Sequence, residues 1–301
     1  MDAAVAALRS GALALLPTET VYGLAADAGN PGAVAAIFEA KGRPRFNPLI
    51  AHVANLEAAA RIAGLDGPGR TLAEAFWPGP LTLVAPCRDT GAVCDLARAG
   101  LDSVAVRVPG HPLAQAVLQA FGHPVVAPSA NRSGRPSPTT FADAMEETGA
   151  SAAAALDGGP CAVGVESTVV SVLDGRIALL RPGAVTRDQI EALIGPLAAS
   201  DQGHRSPGRL TTHYAPDAPL RIEANGVRPG EILLGFGPGI GDPRWSLSVA
   251  GDPREAAANL FRLLREADRE HPVGIAVSPV PMAGLGEAIN DRLRRAAGFV
   301  G

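Results

Sequence analysis

Lysine is nearly missing from this chain. Lysine and arginine together number 26 in 301 residues, and only Lys41 among them is a lysine. With 30 acidic residues the net charge is −4, and the sequence holds no lysine cluster. That argues against a protein whose main task is to coat nucleic acid, because such binding rests on clustered cations. A local basic pocket for a small anion remains open. Cysteine is scarce too, with Cys87, Cys94 and Cys161 alone. Three at irregular spacing make neither a disulfide framework nor a zinc site. They read as free, mostly buried thiols in a reducing compartment. No run approaches the roughly 18 apolar residues of a membrane helix. The apolar N-terminus, MDAAVAALRSGALALLPTE, carries no cleavage-site pattern after a basic start. The expected location is the cytoplasm.

Several familiar chemical signatures are absent as well. The chain has no G-x-x-x-x-G-K-[ST] loop, no G-x-G-x-x-G after a strand, no H-E-x-x-H and no G-x-S-x-G elbow. GFGPGIG at 235–241 resembles a dinucleotide fingerprint, but no helix pattern follows it, so it reads as a turn. Hydrophobic residues supply 47 % of the chain and charged residues 19 %, with 35 Gly and 27 Pro. This describes a compact, turn-rich protein with a sizeable core, long enough for two domains.

Apolar periodicity predicts strands over 48–53, 81–86, 103–109 and 124–129, and a short buried strand closed by Pro17. Helices are expected over 31–41, 55–63, 70–76 and 111–122, and over FADAMEETG before Gly149. STVVSVL and RIALLRPG read as a hairpin about Asp174 and Gly175, and Thr186 as the cap of the helix that follows. Strands and helices mix without strict alternation, which predicts a mixed, twisted α/β sheet. Residues 198–217 read as a linker. Residues 218–301 read as a smaller α/β domain with strands at 220–222, 231–235 and 273–277 and helices at 252–267 and 284–297.

Five segments place polar residues where a core would take apolar ones. LLPTETVYGLAADA (15–28) is either a polar turn or a loop whose hydroxyls and amides face a ligand. AKGRPRFNPLIAH (40–52) carries Lys41, Arg43 and Arg45 at a helix end. The helix dipole alone would favour cations there. An ammonium is more compact than a guanidinium, however, and retention of the lone lysine suggests a crowded polyanion site. In DSVAVRVPGHP (102–112) strand alternation puts Ser103, Ala105 and Arg107 on one face. A half-buried arginine there needs an anionic partner, either a ligand or a structural acid. VVAPSANRSGRPSPT (125–139) opens from a strand into hydroxyls and amides able to cradle phosphate oxygens, or into an ordinary surface loop. In GVESTVVSV…LLRPGAV (164–185) the hairpin brings Ser167 and Thr168 toward Arg181. His52, beside the basic segment, is the best ligand candidate among six scattered histidines.

PTETVYGL, KGRP-x-x-NPL, FWPGPLT, VAVRVPGHP, APSANRSGRPSPT and GVESTV…LRPG, in that order, resemble the threonylcarbamoyl-AMP synthase family, the YrdC-like proteins. The resemblance spans roughly residues 5 to 196. SPGRLTTHYAP and the second domain resemble the long form of that family. The resemblance implies a YrdC-like catalytic domain over 1–197, a linker over 198–217 folding onto the active site, and a Rossmann-like C-terminal domain over 218–301. It implies a nucleotidyltransferase that joins L-threonine, bicarbonate and ATP into threonylcarbamoyl-AMP and pyrophosphate. Mg²⁺ would accompany ATP, with no metal held by the protein. Partner proteins would then transfer the threonylcarbamoyl group to a tRNA adenosine beside the anticodon. By the same resemblance Lys41 and Arg43 meet the phosphates and carry catalysis. Asn47, Ser103, Ser129, Ser137, Arg181 and Tyr214 stand on the nucleotide side. Thr20, His52, Arg107, Ala127 and Ser167 surround threonine, with Arg107 on its carboxylate. Two other readings compete. One is a module that binds double-stranded RNA or tRNA without catalysis, although the acidic net charge argues against it. The other is a carbamoyl transferase like the hydrogenase-maturation proteins, whose acyl-phosphatase and zinc-finger regions this chain lacks.

Overall fold

The computed structural model describes residues 1–44, 47–198 and 213–299. Arg45 and residues 199–212 of the expected linker lie outside the described residues. In chain order the first part holds α1 (Asp2–Arg9), β1 (Ala14–Leu16), β2 (Gly23–Asp27), α2 (Pro31–Lys41), β3 (Ile50–His52), α3 (Leu56–Ile62), α4 (Pro68–Phe76), β4 (Leu81–Pro86), α5 (Asp95–Arg98), β5 (Ser103–Arg107) and α6 (Pro112–Phe121). It continues through β6 (Val125–Val126), α7 (Phe141–Thr148), β7 (Ala154–Ala155), β8 (Thr168–Ser171), β9 (Ala178–Arg181) and α8 (Arg187–Ile194). The second part holds β10 (Leu220–Arg221), β11 (Glu231–Phe236), β12 (Ser246–Ser248), α9 (Pro253–Arg269), β13 (Gly274–Val277) and α10 (Gly286–Ala296).

The first nine strands form one mixed sheet in the order β7-β1-β2-β6-β3-β5-β4-β8-β9. β3 runs parallel to β5, and β4 parallel to β8, while β5 and β4 are antiparallel. Local chemistry explains the elements that carry site residues. Asn30 accepts hydrogen bonds from the Gly32 and Ala33 amides to start α2, and Gly42 stops it in the left-handed region at φ 60. That stop sets Lys41 on the last turn. The β8–β9 hairpin turns at Asp174 and Gly175, both with positive φ, as a tight primed turn requires. A full capping box between Thr186 and Gln189 starts α8.

Three departures from the sequence reading have physical causes. GLAAD, read as part of a polar loop, is strand β2. Its small residues have little strand preference of their own, and the pairing with β1 on one side and β6 on the other imposes the conformation. The N-terminal segment, given no element, is helix α1, which buries Ala4, Val5 and Leu8. β5 is buried along its whole length, so Arg107 sits in a fully covered strand rather than on a half-buried face.

The second part is a four-stranded, wholly parallel sheet in the order β10-β13-β11-β12. GFGPGIG closes β11 and leads into a short 3₁₀ turn and β12, so it is a turn. Its core reaches into the first part and takes in Val21 and Val165. A Cβ on Gly164 would stand 2.4 Å from the Ala257 carbonyl oxygen of α9, so glycine is what permits that approach. Among the described residues no helix is long and apolar enough to cross a membrane. Cys87, Cys94 and Cys161 are all free, but only Cys161 is buried.

Candidate active site

A cleft of about 510 Å³, counting the solvent at its mouth, opens where the ends of β3, β5 and β9 meet the loops after β1 and β6. Thr20, Arg43, His52, Arg107, Ala127, Ser129, Ser167, Arg181 and Tyr214 line it. Residues from all five polar segments and from the end of the linker therefore converge on one site. Four expected residues are not on its wall. Lys41 is 3 % exposed and lies behind Ser129, its ammonium donating to the carbonyl oxygens of Ser129 and Asn131. Ser137 is buried and donates to the Glu166 carboxylate. Asn47 is buried near the start of β3. Ser103 opens β5, ~13 Å along the strand from Arg107 at the usual rise per residue.

Arg107 occupies one wall of the cleft and is already paired. Its Nη2 donates to Glu19 Oε1 at 2.5 Å, its Nη1 to Thr20 Oγ1 at 3.0 Å and its Nε to the Gly79 carbonyl oxygen at 3.2 Å. The other Glu19 oxygen accepts from the Gly110 amide. Burial alone would raise the Glu19 carboxyl, but the charge and hydrogen bond of Arg107, together with the Glu19 and Gly110 amides, hold it below the ordinary carboxylate range. The hydroxyls form a directed chain. Thr18 donates to the Val21 carbonyl oxygen, so Thr20 must donate to Thr18. Thr20 therefore faces the cleft as an acceptor.

The opposite wall is cationic. Arg181 donates through Nε and Nη2 to the Ser167 carbonyl oxygen, and Nη2 also reaches Ser167 Oγ at 3.2 Å. Arg43 makes one long bond to the Pro48 carbonyl oxygen and leaves its buried Nε without a partner. Burial, with Arg181 close by, pulls the Arg43 guanidinium down to about 10. Burial also lowers Arg181, and it lowers Lys41 far below the usual ammonium range. Two desolvated guanidiniums on the wall and one desolvated ammonium behind it, none in an ion pair among the described residues, suit an anionic ligand.

His213 and Tyr214 close the cleft from the linker side. Tyr214 adopts a positive φ of 67, uncommon for a bulky side chain. It packs on Phe261 of α9 at 5.3 Å between centroids and edge-on to His213 at 4.0 Å. His213 keeps a buried, unpartnered Nδ1.

Burial drags both His52 and His213 down to about 3, so both rings are neutral in the folded protein. Unfolding returns them to about 6.5. Between these values the unfolded chain binds more protons. The stabilisation is therefore complete above pH 6.5 and drains as pH falls toward 3, by about 1.4 kcal/mol per pH unit for each ring. The melting temperature is expected to drop between pH 7 and pH 5, and the His52→Gln variant to drop less steeply. Equal slopes in the two proteins would remove His52 from this account.

Sequence reasoning passed over three groups. Glu19 and Glu166 lie inside quoted motifs, and an acid at a buried strand entry was the available signal. Arg292 is the third. It sits on the apolar stripe of α10 between Ile289 and Ala296, a place that a solvated arginine does not take.

A mixed sheet with a hydroxyl-and-arginine cleft, closed by a small parallel unit, defines an α/β protein of the two-part YrdC-like kind. The family described as Telomere recombination matches residues 6–183, and the threonylcarbamoyl-AMP synthase C-terminal domain matches 185–298. A threonylcarbamoyl-AMP synthase of Bacillus subtilis is 42 % identical over 98 % of this chain and 92 % of its own. One from Pyrococcus abyssi is 38 % identical over 97 % of this chain and 92 % of its own. The crystal structure of P. abyssi Sua5 complexed with L-threonine superposes with a TM-score of 0.89 at 38 % identity, covering 98 % of this chain and 93 % of that one. The chain belongs to the threonylcarbamoyl-AMP synthase family.

Proposed function

We infer that this chain joins L-threonine, bicarbonate and ATP into threonylcarbamoyl-AMP, releasing pyrophosphate, in the route to threonylcarbamoyl-adenosine beside the tRNA anticodon. The observation that carries this reading is the pairing, in one cleft, of a carboxylate-sized arginine site with a wall of desolvated, unmatched cations. The threonine amine and bicarbonate condense to a carbamate with loss of water. A carbamate oxygen attacks the α-phosphorus, the bond to the β-phosphate oxygen breaks, and pyrophosphate departs with the electron pair. No protein nucleophile is needed, and positioning with charge stabilisation supplies the catalysis.

In this reading Arg107, Thr20, His52, Ala127 and Ser167 hold threonine. Arg43, Arg181, Ser129 and Tyr214 face the nucleotide. Lys41, Asn47, Ser103 and Ser137 support that side from behind or engage as the cleft closes. Among the described residues Glu166 is the sole carboxylate on the cleft wall, and its two oxygens bond to Arg292 and Ser137. Among the described residues no group of three or more His, Cys, Asp or Glu is placed to hold a metal ion. Mg²⁺ would enter on the ATP phosphates and neutralise charge on the leaving pyrophosphate. The division into 1–197, a lid-forming linker 198–217 and 218–301 belongs to the same proposal. If the lid seats the nucleotide, Tyr214→Ala raises KM for ATP about tenfold and leaves KM for threonine near its starting value. Equal changes in both constants would count against the lid.

The direct test is pyrophosphate release with ATP, Mg²⁺ and bicarbonate, with and without L-threonine. Release is expected to require threonine and bicarbonate together. L-Serine, one methyl smaller, should be discriminated by only about 10–200-fold. A folded protein that releases none under any combination, yet binds RNA with a steep salt dependence, would point to the RNA-binding alternative.

A further inference from the structure

The cleft contains an electrostatic problem. Glu166 lines it together with Arg43 and Arg181. A carboxylate in one cleft with two desolvated guanidiniums, and close enough to be felt at Arg181, is a natural partner for them, and an enzyme so paired would have to break ion pairs before it took up phosphates. That pairing is not what the structure contains. Among the described residues Arg43 and Arg181 make no ion pair, whereas Glu166 is bound to Arg292.

Arg292 comes from α10, in the second part of the chain, and is 0 % exposed. Its Nε donates to Glu166 Oε2 at 2.8 Å, and its Nη2 lies 3.4 Å from the Glu166 backbone oxygen. Nη1 donates to the Pro182 carbonyl oxygen at 3.0 Å and to Asp291 at 2.6 Å. The guanidinium also lies 5.5 Å from the centre of the Tyr214 ring. One side chain thus grips the segment before β8, the segment after β9 and the residue that closes the cleft. Ser137 takes the remaining Glu166 oxygen. Each Glu166 oxygen thus carries one bond, to Arg292 or to Ser137, and neither is bonded to Arg43 or Arg181, although the Glu166 charge is still felt at Arg181.

We propose that Arg292 is a positioning residue that sequesters Glu166, so that Arg43 and Arg181 stay free for the triphosphate. The C-terminal part of the chain then contributes to nucleotide binding without touching the nucleotide. The inference rests on the reading of the cationic wall as the ATP side. Arg265 reinforces the arrangement from α9. It reaches Glu147 at 2.9 Å and the Pro136 carbonyl oxygen, bracing the loop that carries Ser137.

The test uses full-length protein and measures ATP affinity by calorimetry, alongside KM for ATP and for threonine and the melting temperature. Arg292→Met releases Glu166 and is expected to weaken ATP binding at least tenfold, with KM for threonine changed by less than twofold. Adding Glu166→Gln to that variant removes the competing charge and should restore ATP affinity to within about threefold of the parent. Glu166→Gln alone should bind ATP no more weakly than the parent. It also keeps the test decisive if Arg292→Met does not fold. Arg187→Ala breaks an exposed pair with Glu287 between the same two parts and should change nothing. Three results would overturn the proposal: unchanged ATP affinity in folded Arg292→Met, failure of the second substitution to restore it, or tenfold weaker ATP binding in Glu166→Gln alone. If the parent binds ATP and responds to these substitutions yet makes no pyrophosphate with threonine, the synthase reading fails and this inference stands.

Discussion

Arg107→Met is expected to raise KM for L-threonine by about two to three orders of magnitude while ATP binding is retained. The guanidinium is buried at the end of β5, and three of its five N–H groups are committed to Glu19, Thr20 and Gly79. One N–H on each of Nη1 and Nη2 remains, the number that a forked grip on a carboxylate uses. Glu19 fixes the plane of the fork, and Gly110 fixes Glu19. Removing one member of a buried pair typically costs about 3–5 kcal/mol, because the other charge is left without a partner. Part of that loss will appear as lower stability and part as lost threonine affinity, so the melting temperature must be read beside the kinetics. Arg107→Lys should recover little, since an ammonium has no fork. Glu19→Gln keeps the hydrogen bond but not the charge, and its expected effect is about tenfold. A destabilised Arg107→Met enzyme with an unchanged KM for threonine would reduce Arg107 to the structural partner of Glu19.

Much of this was legible in the sequence because local chemistry and tertiary need agree there. The bounds of α2 follow from Asn30, Pro31 and Gly42. The β8–β9 turn follows from Asp174–Gly175, and the start of α9 from Asp252 and Pro253. Each is a signal carried by one to three residues. β2 was not legible, since GLAAD has nothing strand-like of its own and is set by two neighbours distant in sequence. β12 is three residues long and gave no period to read.

The site shows the same division. Its hydroxyls and arginines stand out as polar residues at strand ends. Their partners do not, because Glu19 meets Arg107 across 88 positions and Glu166 meets Arg292 across 126. Nothing in either segment names the other. The expectation that Arg107 needs an anion was sound. The sequence left open whether that anion was protein or substrate, and the structure supplies Glu19 while leaving part of the fork unused.

Lys41 is the harsher test of the lone lysine. Lys41→Met is expected to cut turnover about a hundredfold or more and to lower stability by about 2–6 kcal/mol, since two carbonyl groups lose their donor and each unpaired buried group costs about 1–3 kcal/mol. The ammonium ties α2 to Ser129 and Asn131, and Ser129 is itself on the cleft wall. Its loss therefore loosens a ligand-bearing segment as well as removing a cation. Lys41→Arg is the sharper comparison. A guanidinium keeps the charge but is larger and planar. It must fit between two carbonyl groups in a site 3 % exposed, and overpacking of that kind costs about 1–3 kcal/mol. The arginine enzyme should fold, melt slightly lower and turn over at least tenfold more slowly, with the loss in kcat rather than in KM for threonine. Turnover near the parent value would mean that this position accepts either cation. The single lysine would then reflect the arginine-rich composition of the chain, and Arg43 and Arg181 would carry the phosphate chemistry by themselves.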